Sequence, residues 1–564
     1  MRRRAGNNIQ LSVRNGIDTS NINKKTREEG VMIDGLTARN ILQIVESSAQ
    51  QFGDKPYLLF SYSTSRVEQA CEELSFSELA KTVRQAARFF VNEGVRPGDR
   101  VALHMRSCID FIVCLFGIAA CGAIAVPVND QSAPDEVRYV LKKTTPCLVI
   151  CEHQFLSMYE TFKKQESPFI SRIIPGRCLN NAHTASSFRS EIASFSSAEF
   201  KAPSIRECDT AEILFTSGTT AHPKGVELSH ANLIYAAYYT QWQTSMRADD
   251  CVLTPMPACH SNFQLAALMP SLVSGAQLVL LSKYSATKFW KQVCTYKATI
   301  IQCVSMMVRT LLMQPVHSFD SQSAVREVLY FLPLDTQTKE AFEKRFNVRL
   351  MNSYGSTETV TWAITDYPSG ERRWPSIGRV GLGYEAKIVN SQGQEVPIGT
   401  IGEILIKGTP GRSIMKGYYN DPEHTHEALS PDGWLRTGDK GWVDQDGFFF
   451  FADRKANMIK RCGENISTVE IEDVLLNSGF IEEAAVIGED DQIRDQVVCA
   501  FVVPRNGYTV TPAMVIDYCA QHLSSFKVPG IVEIRDSLPH TCSMKVEKRF
   551  LKTRHCETGG GDER

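Results

Sequence analysis

The sequence has no excess of charge of either sign. Its 564 residues include 61 Lys and Arg and 63 Asp and Glu, so the formal net charge is −2. That balance argues against a nucleic-acid-binding protein and against an acidic disordered chain. Hydrophobic residues make up 43% of the chain, and its length indicates roughly three to four domain-sized units at ~150 residues each.

Paired cysteine motifs are also missing. The 17 cysteines are spread singly, without a C-x-x-C pair, and no secretory hydrophobic segment opens the chain. This pattern predicts free thiols in a reducing compartment rather than disulfides or zinc sites. We therefore predict a cytoplasmic protein.

Long hydrophobic runs are scarce, and the stretch 111–128 needs separate treatment. It has no charged residue, and its length is enough to cross a membrane. Glycines and a proline within it argue against a membrane helix. We predict a buried helix to about Ala120, a turn at Cys121-Gly122 and the strand Ala123–Val128, and hence no membrane span.

The remaining pattern predicts an α/β protein with unequal domains. Residues 1–31 contain seven basic residues and few large apolar ones, so we expect a disordered basic leader. From residue 32 onward, strand-like runs such as Val101–His104 alternate with helical runs such as Phe76–Glu93. This alternation is typical of βαβ units and predicts one large N-terminal domain over 32–453.

The pattern of predicted strands, turns and helices changes twice in the second half of the chain. Short strands and Gly-rich turns predict a β-rich subdomain over about 377–451. A smaller α+β domain is expected over 454–552, with a helix that begins at Pro512. The tail 553–564 contains three consecutive glycines, and we expect it to be flexible.

One loop has the composition of a phosphate-binding loop. The stretch Thr216-Ser-Gly-Thr-Thr-Ala-His-Pro-Lys-Gly225 follows the predicted strand Ala211–Phe215. Glycine lets backbone N–H groups approach closely, hydroxyls donate hydrogen bonds, and lysine adds a positive charge. It is not a Walker A loop, because Gly225 follows the lysine. By composition alone, a solvated turn between two strands is the more common explanation.

Four further stretches combine glycine with carboxylates, hydroxyls or lysine. They are Ser353-Tyr-Gly-Ser-Thr-Glu358, Trp434-Leu-Arg-Thr-Gly-Asp439, the segment from Asp453-Arg454 to Ile466, and Leu538-Pro-His-Thr-Cys-Ser-Met-Lys545. Taken singly, each is more often a turn or a solvated charge. Their order and spacing resemble the adenylate-forming superfamily of acyl-CoA synthetases, adenylation domains and luciferases, over about Gly35 to Lys552.

Within that superfamily the likeness is closest to bacterial crotonobetaine/carnitine–CoA ligases. The stretches that resemble them are Asp209–Thr220, Tyr238-Tyr-x-x-Trp242, Phe331-Leu-Pro-Leu334, Arg372–Gly381 and Phe526-Lys-Val-Pro529. The resemblance implies a mobile C-terminal domain and three small-molecule requirements, ATP, coenzyme A and Mg²⁺. It implies an AMP-forming ligase for carnitine, crotonobetaine or γ-butyrobetaine that works through an acyl-adenylate.

The resemblance also implies roles for individual residues. The expected ATP-binding residues are Thr216, Ser217, Gly218, Thr219, Thr220, Lys224, Tyr354, Gly355, Asp439 and Arg454. Lys545 and Thr357 are expected to act in catalysis, as is Glu358, which also holds Mg²⁺. Gly463 and Lys460 are expected to line a coenzyme A tunnel. Met544 and Cys462 stand where relatives usually have glycine.

A betaine-type acid needs a pocket that accepts a permanent cation, which usually means aromatic faces. Candidate pocket residues are Tyr238, Trp242, Trp362 and His260. An aromatic stripe on a helix is more often plain core, and a structural histidine is nearly as common as a pocket-lining one. Two alternatives therefore stay open, a ligase for a medium-chain or aryl acid and a catalytically weakened nucleotide-binding relative.

Overall fold

The computed structural model describes most of the chain after residue 37. The described ranges are 38–62, 70–132, 134–176, 187–216, 223–331, 334–454, 458–461, 464–491, 495–523, 527–541 and 545–551.

The strands of these ranges are numbered in chain order. They are β1 Pro56–Tyr62, β2 Ala70–Ser75, β3 Arg100–His104, β4 Ile124–Pro127, β5 Leu148–Cys151, β6 Arg172–Pro175, β7 Thr210–Thr216, β8 Lys224–Ser229, β9 Cys251–Thr254, β10 Gln277–Leu281, β11 Ile300–Cys303, β12 Glu327–Tyr330, β13 Leu350–Tyr354, β14 Ile364–Thr365, β15 Arg379–Val380, β16 Glu385–Val389, β17 Gly402–Lys407, β18 Gly417–Tyr418, β19 Trp434–Val443, β20 Phe449–Arg454, β21 Met458–Arg461, β22 Glu464–Ser467, β23 Ile481–Asp491, β24 Asp495–Pro504 and β25 Ile531–Ile534.

The helices are numbered in the same way. They are α1 Ile41–Phe52, α2 Phe76–Asn92, α3 Ile109–Ala120, α4 Pro134–Thr144, α5 Leu156–Gln165, α6 Phe188–Ile192, α7 His230–Thr244, α8 Ser261–Phe263, α9 Met269–Ser274, α10 Ala286–Thr295, α11 Ser305–Leu312, α12 Thr336–Phe346, α13 Pro422–Ala428, α14 Thr468–Leu476 and α15 Pro512–His522. A π-helical turn, Gln264–Leu268, joins α8 to α9.

Two large sheets have parallel cores. The first runs β15-β14-β13-β12-β11-β9-β10-β1-β2, and the second runs β18-β8-β7-β4-β3-β5-β6. Antiparallel strands lie only toward the ends of each order, as β2, β14 and β15 do in the first sheet. Ligands of such sheets bind beyond the carboxyl ends of the parallel strands, which makes the residues after β7, β9 and β13 the place to look for a site.

Helix α3 is the most buried element of the described helices. All twelve of its residues are buried, and it packs against α1 and α2, as expected of a helix that is apolar on nearly every face. It ends at Ala120 and β4 begins at Ile124, which confirms the predicted helix, turn and strand. In the described ranges, no helix combines the length and apolarity that crossing a membrane would take.

The β-rich segment supplies strands to two different sheets. β16, β17, β19 and β20 form a four-stranded antiparallel sheet. β18 lies between β17 and β19 in the chain, but it pairs with β8, the strand that follows the predicted phosphate loop. The segment is β-rich as predicted, and it also completes the edge of the second large sheet.

The C-terminal part is a small sheet covered by helices. β23, β24, β21 and β22 form a ladder, with β25 on β24. Helices α14 and α15 bury Leu475 and Val515 against the sheet, while Leu538 and Leu551 cover strand residues in a second cluster. The α/β class with a large N-terminal part and a small C-terminal part is confirmed.

Candidate active site

The predicted phosphate loop joins two paired strands. β7 and β8 form an antiparallel hairpin whose last pair is Thr216 and Lys224, and the Thr216 hydroxyl donates to the Lys224 carbonyl at 3.5 Å. The loop is therefore anchored at both ends on the second sheet. Ser217, Gly218, Thr219 and Thr220 lie outside the described residues.

Tyr418, which the motifs did not indicate, contacts both Lys224 and Glu358. The Lys224 ammonium lies 5.1 Å from the centre of the Tyr418 ring. The Tyr418 hydroxyl donates to Glu358 Oε1 at 3.1 Å. Burial raises the pKa of Tyr418, and the adjacent Glu358 carboxylate raises it further, so the phenol keeps its proton and remains a donor.

The turn after β13 presents Thr357 and Glu358 toward a neighbouring segment. The Thr357 hydroxyl lies 3.2 Å from the Ser261 hydroxyl at the start of α8. Gly355 is required here because a Cβ on it would lie 2.4 Å from the Thr361 carbonyl oxygen. A side chain at this position would push the turn away from its packing partner.

Tyr354 and Asp439 meet although 85 residues separate them. The Tyr354 hydroxyl donates to Asp439 Oδ2 at 2.7 Å, and Asp439 is only 6% exposed. In the register of β19 and β20, Asp439 lies opposite Arg454. Gly438 has a φ of +70°, so the bend before Asp439 uses backbone that favours glycine.

His260 lies just before α8 and contacts a third segment. Its Nε2 atom lies 3.4 Å from Asn129 Nδ2, beyond the end of β4. Burial lowers the pKa of His260, and the positive charge of Lys545 lowers it further. The lysine of the small C-terminal part is therefore close enough to the large part to act on this histidine.

Lys545 is an exposed residue whose backbone is paired with Thr541. Its N–H donates to Thr541 Oγ1 at 3.1 Å, and its carbonyl accepts from the Thr541 N–H at 2.8 Å. Met544, Cys462 and Gly463 lie outside the described residues. Lys460 lies in β21.

The predicted pocket aromatics fall into two groups. Trp242 is partly buried and packs edge-on against Tyr239 at 5.4 Å and Tyr367 at 5.8 Å, within an aromatic cluster. Trp362 stacks on Phe331 at 4.7 Å, and its buried Nε1–H has no acceptor among the described residues. Tyr238 is half-buried, and burial raises its pKa.

Two models of protein families match this chain. The AMP-binding enzyme family matches residues 45–419, and the AMP-binding enzyme C-terminal domain matches residues 470–545. The chain belongs to the AMP-binding enzyme family. The superfamily indicated by the five motifs is thereby confirmed.

Relatives of this family include characterised and solved proteins. The chain is 44% identical over 521 residues to the crotonobetaine/carnitine–CoA ligases of Salmonella paratyphi B and Salmonella typhi, across 92% of this chain and 100% of each relative. ATP-bound MatB from Rhodopseudomonas palustris matches with 25% identity and a TM-score of 0.81, over 90% of this chain and 98% of that one. The anthranilate CoA ligase AuaEII, in complex with anthranoyl-AMP, also matches with 25% identity and a TM-score of 0.81, over 91% of this chain and 96% of that one.

Sequence reasoning missed Tyr418, Ser261 and Asn129 as members of this site. Tyr418 follows Gly417 in β18, and two adjacent tyrosines after a glycine are a weak signal by themselves. Asn129 is 131 residues away from His260. Only the order of strands in the two sheets brings these residues together.

Proposed function

We propose that this member of the AMP-binding enzyme family is an AMP-forming ligase that joins carnitine, crotonobetaine or γ-butyrobetaine to coenzyme A. The observation that carries the proposal is the 44% identity to crotonobetaine/carnitine–CoA ligases along their whole length. The acid would first take the adenylyl group from ATP and release pyrophosphate. The thiol of coenzyme A would then displace AMP and leave the acid as a thioester.

Positioning and charge do the catalytic work in this proposal, since no covalent enzyme intermediate is required. Lys224 and the hydroxyl-rich loop, of which Thr216 is the anchored end, would hold the β- and γ-phosphates. Thr357 would donate to the α-phosphate. Lys545 would stabilise the negative charge that builds up between the carboxylate and the α-phosphate as the new bond forms.

The described residues fit a magnesium ion that is held mainly by the phosphates of the nucleotide. Magnesium in such sites is usually held by one or two carboxylates, water and substrate phosphates rather than by a protein cage. Within the described ranges, no group of three or more His, Cys, Asp or Glu residues forms a metal cage. Glu358 would supply the protein ligand, with one oxygen already oriented by Tyr418. When bound, the cation would neutralise phosphate charge.

Asp439 suits the ribose end of the nucleotide. A carboxylate can accept four hydrogen bonds, and the Tyr354 hydroxyl is one donor to this one. The ribose hydroxyls would be further donors, with Arg454 in support and the Tyr354 ring against adenine. Gly355 would keep the turn close enough for that stacking.

The division into domains is part of the proposal. The large domain over 32–453 would hold the nucleotide and the acid, and the domain over 454–552 would move between the two half-reactions. In the second half-reaction, Gly463 and Lys460 would line the coenzyme A tunnel in place of Lys545. Such hinge motion lets one cavity serve both chemical steps.

Trp362 is the best-supported residue of the acid pocket. One face of its indole is covered by Phe331, and an aromatic face attracts a quaternary ammonium group. Its Nε1–H, which has no acceptor in the described residues, suits a hydroxyl oxygen such as that of carnitine. His260, on the Lys545 side, would lie nearer the carboxylate. Tyr238 and Trp242 remain predictions as pocket residues.

A second candidate is a ligase for an aryl or medium-chain acid. The Trp362–Phe331 pair that suits a cation also suits a flat ring, and the chain matches an anthranilate CoA ligase. A substrate panel separates the two: L-carnitine, crotonobetaine, γ-butyrobetaine, octanoate and benzoate, each with ATP, Mg²⁺ and coenzyme A, followed by AMP release. We expect the betaines to be used best; turnover of octanoate or benzoate without the betaines would contradict the proposal. ATP binding without AMP release from any acid would favour a non-catalytic relative.

A further inference from the structure

A strained turn lies between the residue expected to bind magnesium and the best-supported residue of the acid pocket. Val360 stands two residues after Glu358 and two before Trp362, and its φ is +64°. The Thr361 N–H donates to the Thr359 carbonyl at 2.6 Å, so Val360 is the central residue of a γ-turn. A γ-turn of positive φ is rare and strained, and a β-branched residue is an outlier there. Other contacts must therefore hold the backbone in this form.

One buried tyrosine hydroxyl contacts both residues that flank Val360. Tyr384 is 8% exposed, and its hydroxyl lies 2.7 Å from the Thr359 carbonyl oxygen and 2.8 Å from the Thr361 hydroxyl. It also lies 2.8 Å from the Ser413 carbonyl oxygen. When the Thr361 hydroxyl donates to the tyrosine, the phenol proton is left for the two carbonyls. The Thr359 carbonyl then accepts from both the Thr361 N–H and Tyr384, which uses both of its lone pairs.

The direction of these contacts explains how they oppose the strain. The positive φ is relieved most directly when the peptide group between Thr359 and Val360 rotates. That rotation would turn the Thr359 carbonyl away from Tyr384 and break the hydrogen bond. Burial raises the pKa of Tyr384, so the phenol keeps its proton and stays a donor. The turn can therefore relax only at the expense of this bond.

The two ends of the turn are held by other segments as well. On one side, the Met415 N–H donates to the Glu358 carbonyl at 2.9 Å. On the other side, the Tyr239 hydroxyl donates to the Trp362 carbonyl at 2.5 Å. The rings of Tyr239 and Tyr384 pack edge to face, with their centres 5.7 Å apart. The turn therefore sets the spacing between two anchored residues.

We propose that Tyr384 is a positioning residue, which holds the γ-turn at Val360 and thereby fixes the distance between Glu358 and Trp362. This inference rests on the proposed function for the roles of those two residues. The nucleotide with its cation would be held at one end of the segment, and the acid at the other. Alignment of two separate molecules contributes strongly to the rate of their reaction. Once the adenylate bond has formed, the two parts are one molecule and depend less on that alignment.

The kinetic test is Tyr384→Phe, which removes the hydroxyl and keeps the ring. We expect kcat for adenylate formation to fall about tenfold, whereas the KM values for ATP and γ-butyrobetaine should change less than about twofold. Thioester formation from supplied acyl-adenylate should stay close to wild type. Tyr57→Phe is the matched control with both rates retained, because this buried tyrosine of β1 also donates to a backbone carbonyl, that of Leu268 at 2.8 Å. Parallel losses in both half-reactions, or a loss confined to one KM, would overturn the proposal.

A double-variant series tests the strain itself. Glycine adopts a positive φ at no steric cost, whereas alanine keeps the Cβ that opposes it. In the Tyr384→Phe background, Val360→Gly should therefore raise the rate of adenylate formation about threefold or more over Val360→Ala. Both substitutions remove the two γ-methyl groups of this buried residue, and they differ only in the Cβ. Equal rates of the two double variants would overturn the proposal.

Thermal unfolding separates this inference from the proposed ligase activity. At a residue of ordinary φ, glycine is less stable than alanine because it loses more conformational freedom on folding. With Tyr384 present, Val360→Gly should instead have the higher Tm, by about one or two degrees. An equal or higher Tm for Val360→Ala would overturn the proposal, because the turn would then carry no strain. This order of Tm does not depend on the acid substrate, so it is measurable even if the acid panel contradicts the ligase activity.

Discussion

The two sides of the candidate site are built differently. On the large side, Asp439 and Glu358 each accept a tyrosine hydroxyl, at 2.7 and 3.1 Å, and lie within strand and turn structure. On the small side, Lys545 is exposed, and its backbone is held by Thr541. In the proposed function the large side would therefore be preorganised for binding, whereas the small side would supply one charge. Substitutions on the two sides should affect different steps.

The largest effect is expected from Lys545→Ala. Loss of one charge aimed at the developing negative charge should slow adenylate formation by about a thousandfold. Thioester formation from supplied acyl-adenylate should stay close to wild type, because the proposed role of the lysine ends once the adenylate has formed. Single-turnover assays of both half-reactions measure this, with the exposed Lys81→Ala as the control. An equal loss of rate in both half-reactions would contradict the assignment of different steps to the two sides.

Glu358→Gln should follow in size. Removing the carboxylate that is expected to bind the cation should lower AMP release by roughly a hundredfold and raise the Mg²⁺ concentration needed for half-maximal rate. Tyr418 can still donate to the amide oxygen, so the turn should keep its structure. A Mg²⁺ titration of AMP release checks the shift. An unchanged titration curve would remove Glu358 from the metal site.

Asp439→Asn should mainly weaken nucleotide binding. Hydrogen bonds to a charged acceptor are worth about 1.5–3 kcal/mol each, so kcat/KM for ATP should fall roughly tenfold to a hundredfold. The acid KM should change little. Steady-state kinetics with each substrate varied in turn separate the effect on ATP from the effect on the acid. A change in the acid KM larger than the change in kcat/KM for ATP would contradict the ribose role.

Trp362→Leu tests the acid pocket. A desolvated cation–aromatic contact is worth about 2 kcal/mol, so kcat/KM for γ-butyrobetaine should fall roughly thirtyfold. Octanoate, which has no cation, should be used as well as before or better. The ratio of the two specificity constants is the measurement. Trp242→Leu, which loses the packing on Tyr239 and Tyr367, is the comparison variant and should change Tm more than this ratio.

The smallest effect is expected from Tyr354→Phe. It removes one hydrogen bond to Asp439 and keeps the ring, and a net contribution of about 1 kcal/mol corresponds to about fivefold in kcat/KM for ATP. Nucleotide titration by calorimetry gives the same quantity directly. If Tyr354→Phe lowers kcat/KM for ATP as much as Asp439→Asn does, the hydroxyl does more for nucleotide binding than orient the carboxylate.

Much of the local structure could be predicted because it depends on short-range rules. The helix predicted to begin at Pro512 begins there, and α3 ends at Ala120 as predicted. Ser229 caps α7 by accepting from the Asn232 N–H, a contact between residues three apart. Such signals are complete within one turn of chain.

The contacts across the site could not be predicted in that way. Asp439 and Tyr354 are both in recognised motifs, yet their hydrogen bond spans 85 residues. Tyr418 reaches Lys224 and Glu358 because β18 crosses to pair with β8, although the rest of its segment builds another sheet. The pairing order of strands depends on the whole core, and a local pattern does not contain it.

The sequence by itself determined the family, the order of the motifs and the residue types available for phosphate, cation and ribose. The family was indicated by the resemblance of five ordered motifs and confirmed by the family models, and the residue types are read directly from the chain. Only the tertiary structure decided that the Tyr354 hydroxyl donates to Asp439 and that Tyr418 contacts both Lys224 and Glu358. The physical reason is that burial and the partners of a charge are set by segments distant in sequence, and those partners decide its protonation and its use.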